Sequence, residues 1–144
     1  MDSNSGDEPL EDAFQKWTWS RASVPDGTVV LYDVTHRAAA AEGAAHAMAL
    51  RFAASGAVQI VEPPPEVALP ISGWRVPRRT RADAGHEAQV VQTLEDAPFY
   101  NRSLLQTHLL GHPAPAIHEA LDLDRFSSLW VQCLLPFRMP RGIL

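Results

Sequence analysis

Alternating hydrophobic and polar residues recur in short segments along this chain, separated by residues that favour turns. In residues 14–22, Trp17, Trp19 and Arg21 fall on one face of a predicted strand, and polar residues fall on the other. Six further segments have the alternation or the β-branched and aromatic content of strands: 28–35, 47–53, 58–62, 86–94, 99–110 and 116–126. Seven short strands predict an all-β sandwich or barrel.

Proline, glycine and serine mark the connections between these strands. Residues 25–27 (Pro-Asp-Gly) and 55–56 (Ser-Gly) predict turns that close two hairpins. Three consecutive prolines at 63–65 lack the N–H groups of a ladder, so the chain is predicted to cross an end of the sheet there. The alanine-rich residues 38–45 predict a loop. A serine at 127 or 128 predicts the start of a short helix that runs through Leu134 and is stopped by Pro136.

The composition fits one folded domain spanning residues 1–144. Of these 144 residues, 46% are hydrophobic, which argues against wholesale disorder. The longest apolar runs reach only about seven residues, whereas a membrane-spanning helix needs about 20. The first residues are polar and acidic, unlike a secretory signal. The single cysteine, Cys133, excludes an internal disulfide, and its apolar neighbours predict a buried thiol.

The net charge of −5 comes from the N-terminal segment. Five acids lie in the first twelve residues, and the other twelve acids balance the twelve bases. Without an excess of positive charge to neutralise phosphates, nucleic acid is not a predicted partner. The local exception is a cluster of Trp74 with Arg75, Arg78, Arg79 and Arg81. Two interpretations stay open: a patch that docks on an anionic membrane surface, or a solvated loop whose arginines pair with nearby acids.

The usual catalytic and metal-binding motifs are missing from the sequence. There is no G-x-S-x-G, no phosphate-binding loop and no dinucleotide fingerprint. His86-Glu87 and His118-Glu119 are not followed by a second histidine at zinc-binding spacing. The sequence therefore predicts no metal site.

Trp17 and Trp19 are the first candidates for a binding role, because residues two apart on a strand project to the same face. They form either an aromatic layer of the core or the lining of a cavity. In a dry cavity, indole faces stabilise a cation by about 1–2 kcal/mol.

Arginines on inward strand faces need partners. Arg21 and Arg102 are the two in question, and the candidate partners are Glu119, Asp122 and Asp124. This arrangement predicts a structural ion-pair network inside or at the rim of a barrel.

Three segments, in this order, resemble one known family. They are Pro9-Leu10-Glu11 with Trp17-x-Trp19-Ser20-Arg21-Ala22; Glu95-Asp96-x-Pro98-Phe99-Tyr100-x-Arg102-Ser103; and His118-Glu119-x-Leu121-Asp122-Leu123-Asp124-Arg125-Phe126, closing with Leu135-Pro136-Phe137-Arg138-Met139-Pro140-Arg141. The combination is similar to the C-terminal half of the carotenoid 1,2-hydratases, also called hydroxyneurosporene synthases. The resemblance covers nearly the whole chain.

The resemblance implies a lipocalin-like antiparallel β-barrel, the C-terminal half of a two-barrel protein, with a short C-terminal helix. It implies a hydro-lyase that adds water to the terminal C1=C2 double bond of acyclic carotenoids such as neurosporene and lycopene, without a cofactor. Because such substrates dissolve in membranes, the implied location is cytoplasmic, with peripheral contact to the inner, photosynthetic membrane. Pairing with an N-terminal half or with a second copy of the chain is also expected.

Hydration of a trisubstituted alkene requires a carboxylic acid that stays protonated through desolvation. The segment Asp2-Ser3-Asn4-Ser5-Gly6 resembles the later part of a family pattern close to Tyr-x-Asp-x-Asn-x-x-Gly, which makes Asp2 the implied acid. The alternative is that Asp2 is a solvated residue of the terminal segment. The resemblance gives five candidates for substrate binding: Trp17, Trp19, Tyr100, Arg102 and His118.

Two other functions stay open beside hydration. One is a non-catalytic lipocalin-like module that binds an apolar ligand or pairs with an N-terminal half. The other is a related barrel with a different cofactor-free reaction on a polyene, since a fold does not determine a reaction.

Overall fold

The computed structural model describes residues 9–37 and 45–138, and antiparallel strands account for most of them. Asp2 and all but the last residue of the loop predicted at 38–45 lie outside the described residues. The strands are β1 Phe14–Val24, β2 Gly27–His36, β3 Ala45–Ala53, β4 Val58–Val61, β5 Glu66–Leu69, β6 Arg78–Arg81, β7 Gln89–Asp96, β8 Tyr100–Leu109 and β9 His112–Asp122. The helices are α1 Leu10–Ala13, α2 Leu123–Phe126 and α3 Leu129–Arg138.

Seven strands form the main sheet in the order β4-β3-β2-β1-β9-β8-β7, and β5 pairs with β6 in a separate two-stranded sheet. Every pair is antiparallel, so the prediction of an all-β antiparallel fold with a short C-terminal helix is confirmed. Within the described residues, β4 and β7 are the edge strands, and no ladder joins them into a closed barrel.

The turn predicted at residues 25–27 joins β1 to β2 and sets the register of the site. Val24 lies opposite Gly27. This pairing determines which residues of β1 and β2 lie opposite each other along the hairpin, as far as the irregularity near Phe14. A Cβ atom at Gly27 would collide with the carbonyl oxygen of Phe52 on β3. Glycine is therefore required here by the close approach of a neighbouring strand.

One face of the main sheet is buried, and we call it the inner face. Its apolar residues, with those of β5, form the core: Ala22, Val29, Leu31, Ala49, Leu69, Leu105, Leu109, Ala114 and Ala116. The small sheet lies over this face, where the Oγ1 atom of Thr80 on β6 is 3.2 Å from the Oγ atom of Ser20 on β1. The opposite face, which carries Trp17 and Trp19, is only partly buried, and we call it the outer face.

The region after the three prolines was predicted to contain no ladder, and this prediction is wrong. β5 and β6 form there because each has only four residues: β5 fits between Pro65 and Pro70, and β6 begins directly after Pro77. The last predicted strand, 116–126, is also shifted. β9 begins at His112 and ends at Asp122, whose Oδ1 atom accepts a hydrogen bond from the backbone N–H of Arg125 at 3.1 Å and so caps α2.

The C-terminal helix is longer than predicted, since α3 continues past Pro136 to Arg138. Cys133 is exposed, so the prediction of a buried thiol is wrong. The physical reason is the helical period: Val131 occupies the buried side of α3, and the next two residues, Gln132 and Cys133, turn to the exposed side. In the part of the chain that the structure describes, none of the helices has the length and apolar character needed to cross a membrane.

Candidate functional site

The outer face carries rows of aromatic and aliphatic side chains that lie opposite one another on neighbouring strands. In the first row, Trp17 on β1 is paired with Val34 on β2 and with Leu121 on β9. Leu121 is in turn paired with Tyr100 on β8. Because directly opposed residues share a face, these four side chains form one continuous stripe across four strands.

The second row is more polar. Trp19 lies opposite Tyr32 and Glu119, and Arg102 lies opposite Glu119 on the far side. The Nε atom of Arg102 is 3.5 Å from Oε1 of Glu119, one of the three candidate acid partners. Arg21 and Arg102 are both exposed on this outer face, so the prediction that they lie on inward faces is wrong. Tyr100 hydrogen-bonds to the same carboxylate, and its burial, followed by the charge of Glu119, raises the pKa of the phenol. Tyr100 therefore stays protonated throughout the physiological range.

An apolar cleft opens at the first row, at the end of the sheet where β1 begins. Its volume is about 180 Å³, and it is lined by Leu10, Phe14, Trp17, Val34, Leu121 and Leu123. This volume is below the roughly 300–1,000 Å³ of pockets that enclose a whole small ligand. The lining holds no charged side chain, so the cleft is suited to the end of a hydrocarbon chain.

A second, more open groove lies beyond the polar row. It has a volume of about 390 Å³, and Arg21, Leu104 and Ile117 are among its lining residues. These three occupy the third row of the outer face, since Arg21 and Leu104 both lie opposite Ile117. The apolar cleft and this groove of mixed polarity thus flank the Arg102–Glu119 ion pair on one face.

Four of the five predicted binding residues share this face: Trp17, Trp19, Tyr100 and Arg102. Their role in binding stays a prediction. The fifth, His118, lies on the inner face, so it does not border the same cavity as the other four. Alternation along β9 places Ile117, Glu119 and Leu121 outward and His118 inward.

His118 is fully buried in a polar cluster between the two sheets. Its Nδ1 atom is 2.8 Å from the Oγ atom of Ser20, which also contacts Thr80. Among the described residues, no hydrogen-bond partner reaches Nε2 of His118. Burial, together with the nearby positive charge of Arg78, lowers the pKa of His118 to about 4. The imidazole is therefore neutral in the folded protein.

The depressed pKa of His118 predicts that the protein becomes less stable as the pH decreases. Between pH 6.5 and about 4, the unfolded chain binds a proton at this residue and the folded chain does not. The free energy of unfolding should therefore fall by up to about 1.4 kcal/mol per pH unit as the pH drops through this window. Urea unfolding at several pH values measures this slope.

The slope is assigned to His118 by substitution. A His118→Asn variant should have a flatter pH profile than the wild type, whereas His112→Asn, at an exposed position, should leave the profile unchanged. Equal slopes for the wild type and the His118 variant would show that other groups cause the pH dependence.

The arginines near Trp74 are mostly engaged within the protein. Arg78 is buried and donates from Nη1 to Asn101 and Ser103, at 2.7 and 2.9 Å. The other paired residues are Arg79, with Glu66 at 3.3 Å, and Arg81, with Asp33. Arg75 remains exposed. The four-arginine docking patch is therefore wrong. The alternative of arginines that pair with nearby acids describes two of the four, Arg79 and Arg81, since Arg78 is buried and binds an amide and a hydroxyl group.

The remaining predicted acid partners bind other arginines. Asp122 lies 3.7 Å from the Nε atom of Arg125, and Asp124 pairs with Arg37. Within the described residues, no cluster of three histidine, cysteine or acidic side chains has a geometry that could hold a metal ion.

Four of the residues that line the cleft were not predicted as binding residues from the sequence: Phe14, Val34, Leu121 and Leu123. A signal for one of them, Val34, was present. The two-residue connection after β1 places Val34 opposite Trp17, and Tyr32 opposite Trp19. Leu123 has no such signal, because it begins a helix where a strand was predicted.

Comparison with known proteins identifies close relatives across the chain. The family described as carotenoid hydratase CrtC matches residues 1–143. An acyclic carotenoid 1,2-hydratase of Thiocapsa roseopersicina is 58% identical over 142 residues, and one of Rubrivivax gelatinosus is 42% identical over the same length. A third protein of this name, from Cereibacter sphaeroides, is 40% identical over 141 residues. No solved structure matches the chain.

The chain spans only part of these relatives. The alignments cover 98% of this chain but 34% of the Thiocapsa and Rubrivivax proteins and 49% of the Cereibacter protein. The matched part is the C-terminal part of those proteins.

Proposed function

This chain belongs to the carotenoid hydratase family, and on that basis we propose that it is the C-terminal part of an acyclic carotenoid 1,2-hydratase. The reaction is the addition of water to the terminal C1=C2 double bond of substrates such as neurosporene and lycopene, without a cofactor, and it belongs to the hydro-lyase class. The observation that carries the proposal is the 58% identity, over 142 residues, to a protein named for this activity.

The chemistry needs one proton donor and one water. A carboxylic acid transfers its proton to C2, which leaves a tertiary cation at C1. Water then attacks C1, and the proton that it loses returns to the carboxylate, so the net change is one added water. The family resemblance makes Asp2 the acid in this proposal. Its carboxyl group must be desolvated in the assembled site to stay protonated at neutral pH.

The apolar cleft supplies a place for the end of the carotenoid. Its volume of about 180 Å³ suits a terminal isoprenoid unit rather than a whole polyene. The indole of Trp17 lines this cleft, so its face is available to stabilise a cation at C1. Trp19, in the next row of the same face, extends the aromatic surface along the direction of the polyene.

The polar row beside the cleft is suited to hold the attacking water. Tyr100 lies opposite Leu121 of the cleft and hydrogen-bonds to Glu119. Because the phenol stays protonated, it can both donate and accept a hydrogen bond. Arg102 neutralises Glu119, which keeps a free carboxylate from drawing extra water into the apolar face.

Replacing Trp17 should weaken carotenoid binding. A Trp17→Ala variant removes the largest apolar side chain of the cleft, and we expect the affinity for lycopene in detergent to fall about tenfold or more. Co-elution of lycopene with the protein in gel filtration measures the effect. The matched control is Phe52→Ala, because Phe52 is an outer-face aromatic on β3 that does not line the cleft. Equal losses in both variants would argue against the cleft as the binding site.

The second candidate function is a non-catalytic module that binds an apolar ligand. The same outer face favours it, since binding needs the apolar rows but not an acid at Asp2. The two functions differ in one result: a binding module retains lycopene without forming any hydrated product.

A further inference from the structure

A second apolar surface lies outside the cleft, and we call it the indole patch. It consists of Ile71 and Trp74, on the connection from β5 to β6, and Leu129 and Trp130, in the first turn of α3. The two indole rings lie together, with centroids 6.5 Å apart. Three of the four side chains are strongly exposed, at 81% for Leu129, 67% for Ile71 and 50% for Trp130, and Trp74 is partly buried.

The patch is held in place by hydrogen bonds from polar neighbours. Arg125 of α2 donates from Nη1 to the carbonyl oxygen of Trp74 at 2.8 Å, and from Nη2 to that of Arg75 at 2.9 Å. The backbone N–H of Gly73 donates to Oδ2 of Asp96 at 2.7 Å. Because these bonds fix the backbone around Trp74, little backbone freedom is lost there when the patch binds a surface.

The indole patch and the apolar cleft are attached to the same short helix. Leu123, the first residue of α2, lines the cleft, and Arg125, two residues later, binds the backbone of the patch. Phe126 of α2 packs against Phe99, at the start of β8, with ring centroids 5.1 Å apart. The patch therefore sits at the end of the main sheet where the cleft opens.

The composition of the patch is typical of a bilayer interface. Tryptophan prefers the boundary between headgroups and acyl chains, and exposed aliphatic side chains insert just below it. A stable protein interface needs about 800 Å² from each partner, which is more than four partly exposed side chains offer. The chain has a net charge of −5, so attraction to anionic lipids is not the driving force.

We propose that the indole patch docks the protein on a lipid bilayer by insertion of Leu129, Trp130, Trp74 and Ile71. This inference rests on the proposed function, because an acyclic carotenoid dissolves in the bilayer and must reach the cleft from there. Docking at this end of the sheet brings the cleft next to the membrane surface. The end of the polyene then enters the cleft without crossing water.

The test is co-sedimentation of the 144-residue chain with vesicles that contain no carotenoid. One set is phosphatidylcholine alone, and the other contains added phosphatidylglycerol. We expect binding to both, with little loss at high salt, since insertion is not screened as charge attraction is. Binding only to the anionic set, abolished by salt, would overturn docking by insertion.

A double variant, Leu129→Ser with Trp130→Ser, should lower the vesicle partition coefficient about tenfold or more. The matched control is Val58→Ser with Ile60→Ser, which removes two apolar side chains of β4 that are 57% and 81% exposed. Circular dichroism verifies that both variants fold. Equal binding by the patch variant and the wild type would overturn the proposal. A dimer that forms without vesicles and disappears in the patch variant would also overturn it, because the occupant would then be a second copy.

A further readout on the wild-type chain does not depend on how the variants fold. Brominated lipids should quench the tryptophan fluorescence when the indole patch inserts, and an absence of quenching would contradict insertion. The vesicle test is also independent of hydration. Hydration is measured on this chain joined to the part of the Thiocapsa roseopersicina relative that precedes the matched segment. Hydration by that joined protein without vesicle binding by this chain would reject docking alone, and vesicle binding by this chain without hydration by the joined protein would reject the proposed function alone.

Discussion

An Arg81→Gln variant is expected to lose about 3–5 kcal/mol of the free energy of unfolding, the typical effect of breaking a buried ion pair. The side chains of Arg81 and Asp33 are only 15% and 10% exposed. Arg81 donates from Nε to both carboxylate oxygens of Asp33, at 2.9 and 3.0 Å, and from Nη1 to the carbonyl oxygen of Pro64 at 2.7 Å. Without the guanidinium, Asp33 is left as a buried, unpaired charge.

This pair also links the two sheets, since Arg81 lies on β6 and Asp33 on β2. Chemical denaturation measures the loss, and Arg79→Gln is the matched control on the same strand. Arg79 pairs with Glu66 at the surface, where such pairs contribute about 0–1 kcal/mol. Similar effects of the two variants would mean that the Arg81 pair does not hold the small sheet to the main sheet.

The second large effect is expected at Asp2, if the chain performs hydration as proposed. Loss of a general acid typically lowers the rate by about 10²–10⁴-fold, and we expect this range for Asp2→Asn. Asp12→Asn, an exposed acid ten residues later in the same acidic segment, should retain the full rate. The measurement is the rate of hydrated product formed from lycopene in detergent by this chain joined to the preceding part of the Thiocapsa roseopersicina relative. A fully active Asp2→Asn variant would place the acid at another residue.

Much of the strand pattern follows from the sequence, because alternation and turn residues act locally. The two-residue turn after Val24 determines which residues of β2 face Trp17 and Trp19. The same alternation places these two tryptophans on one face, as the structure has them. Both features need only the neighbouring residues, so they can be predicted without knowledge of the rest of the fold.

The sequence does not indicate which of the two faces of β9 is buried. Ile117 and Leu121 look like core residues, yet the buried side of this strand carries Ala116, His118 and Ala120. The cause is tertiary: β6 approaches the inner face closely, so small and polar residues fit there and larger ones do not. That approach depends on residues about 40 positions away in the sequence, on β6, a strand that the sequence pattern did not predict.

The arginine cluster failed as a prediction for a related reason. Four arginines near one tryptophan look like a cationic surface, but a strand sends its residues to alternate sides. Arg78 is thereby carried into the core, where Asn101 and Ser103 accept its hydrogen bonds. Because these hydrogen-bond partners are distant from Arg78 in the sequence, they can be identified only when the packing of the two sheets is known.

The central claim is that this chain completes a carotenoid hydratase, and one assay tests it most directly. The part of the Thiocapsa roseopersicina relative that precedes the matched segment is joined to this chain, and lycopene is supplied in detergent or vesicles. That preceding part alone serves as the control. The account predicts that only the joined protein forms a product heavier by one water, with a tertiary alcohol at C1. A folded joined protein that binds lycopene but forms no such product would contradict the account and leave the apolar-ligand module in its place.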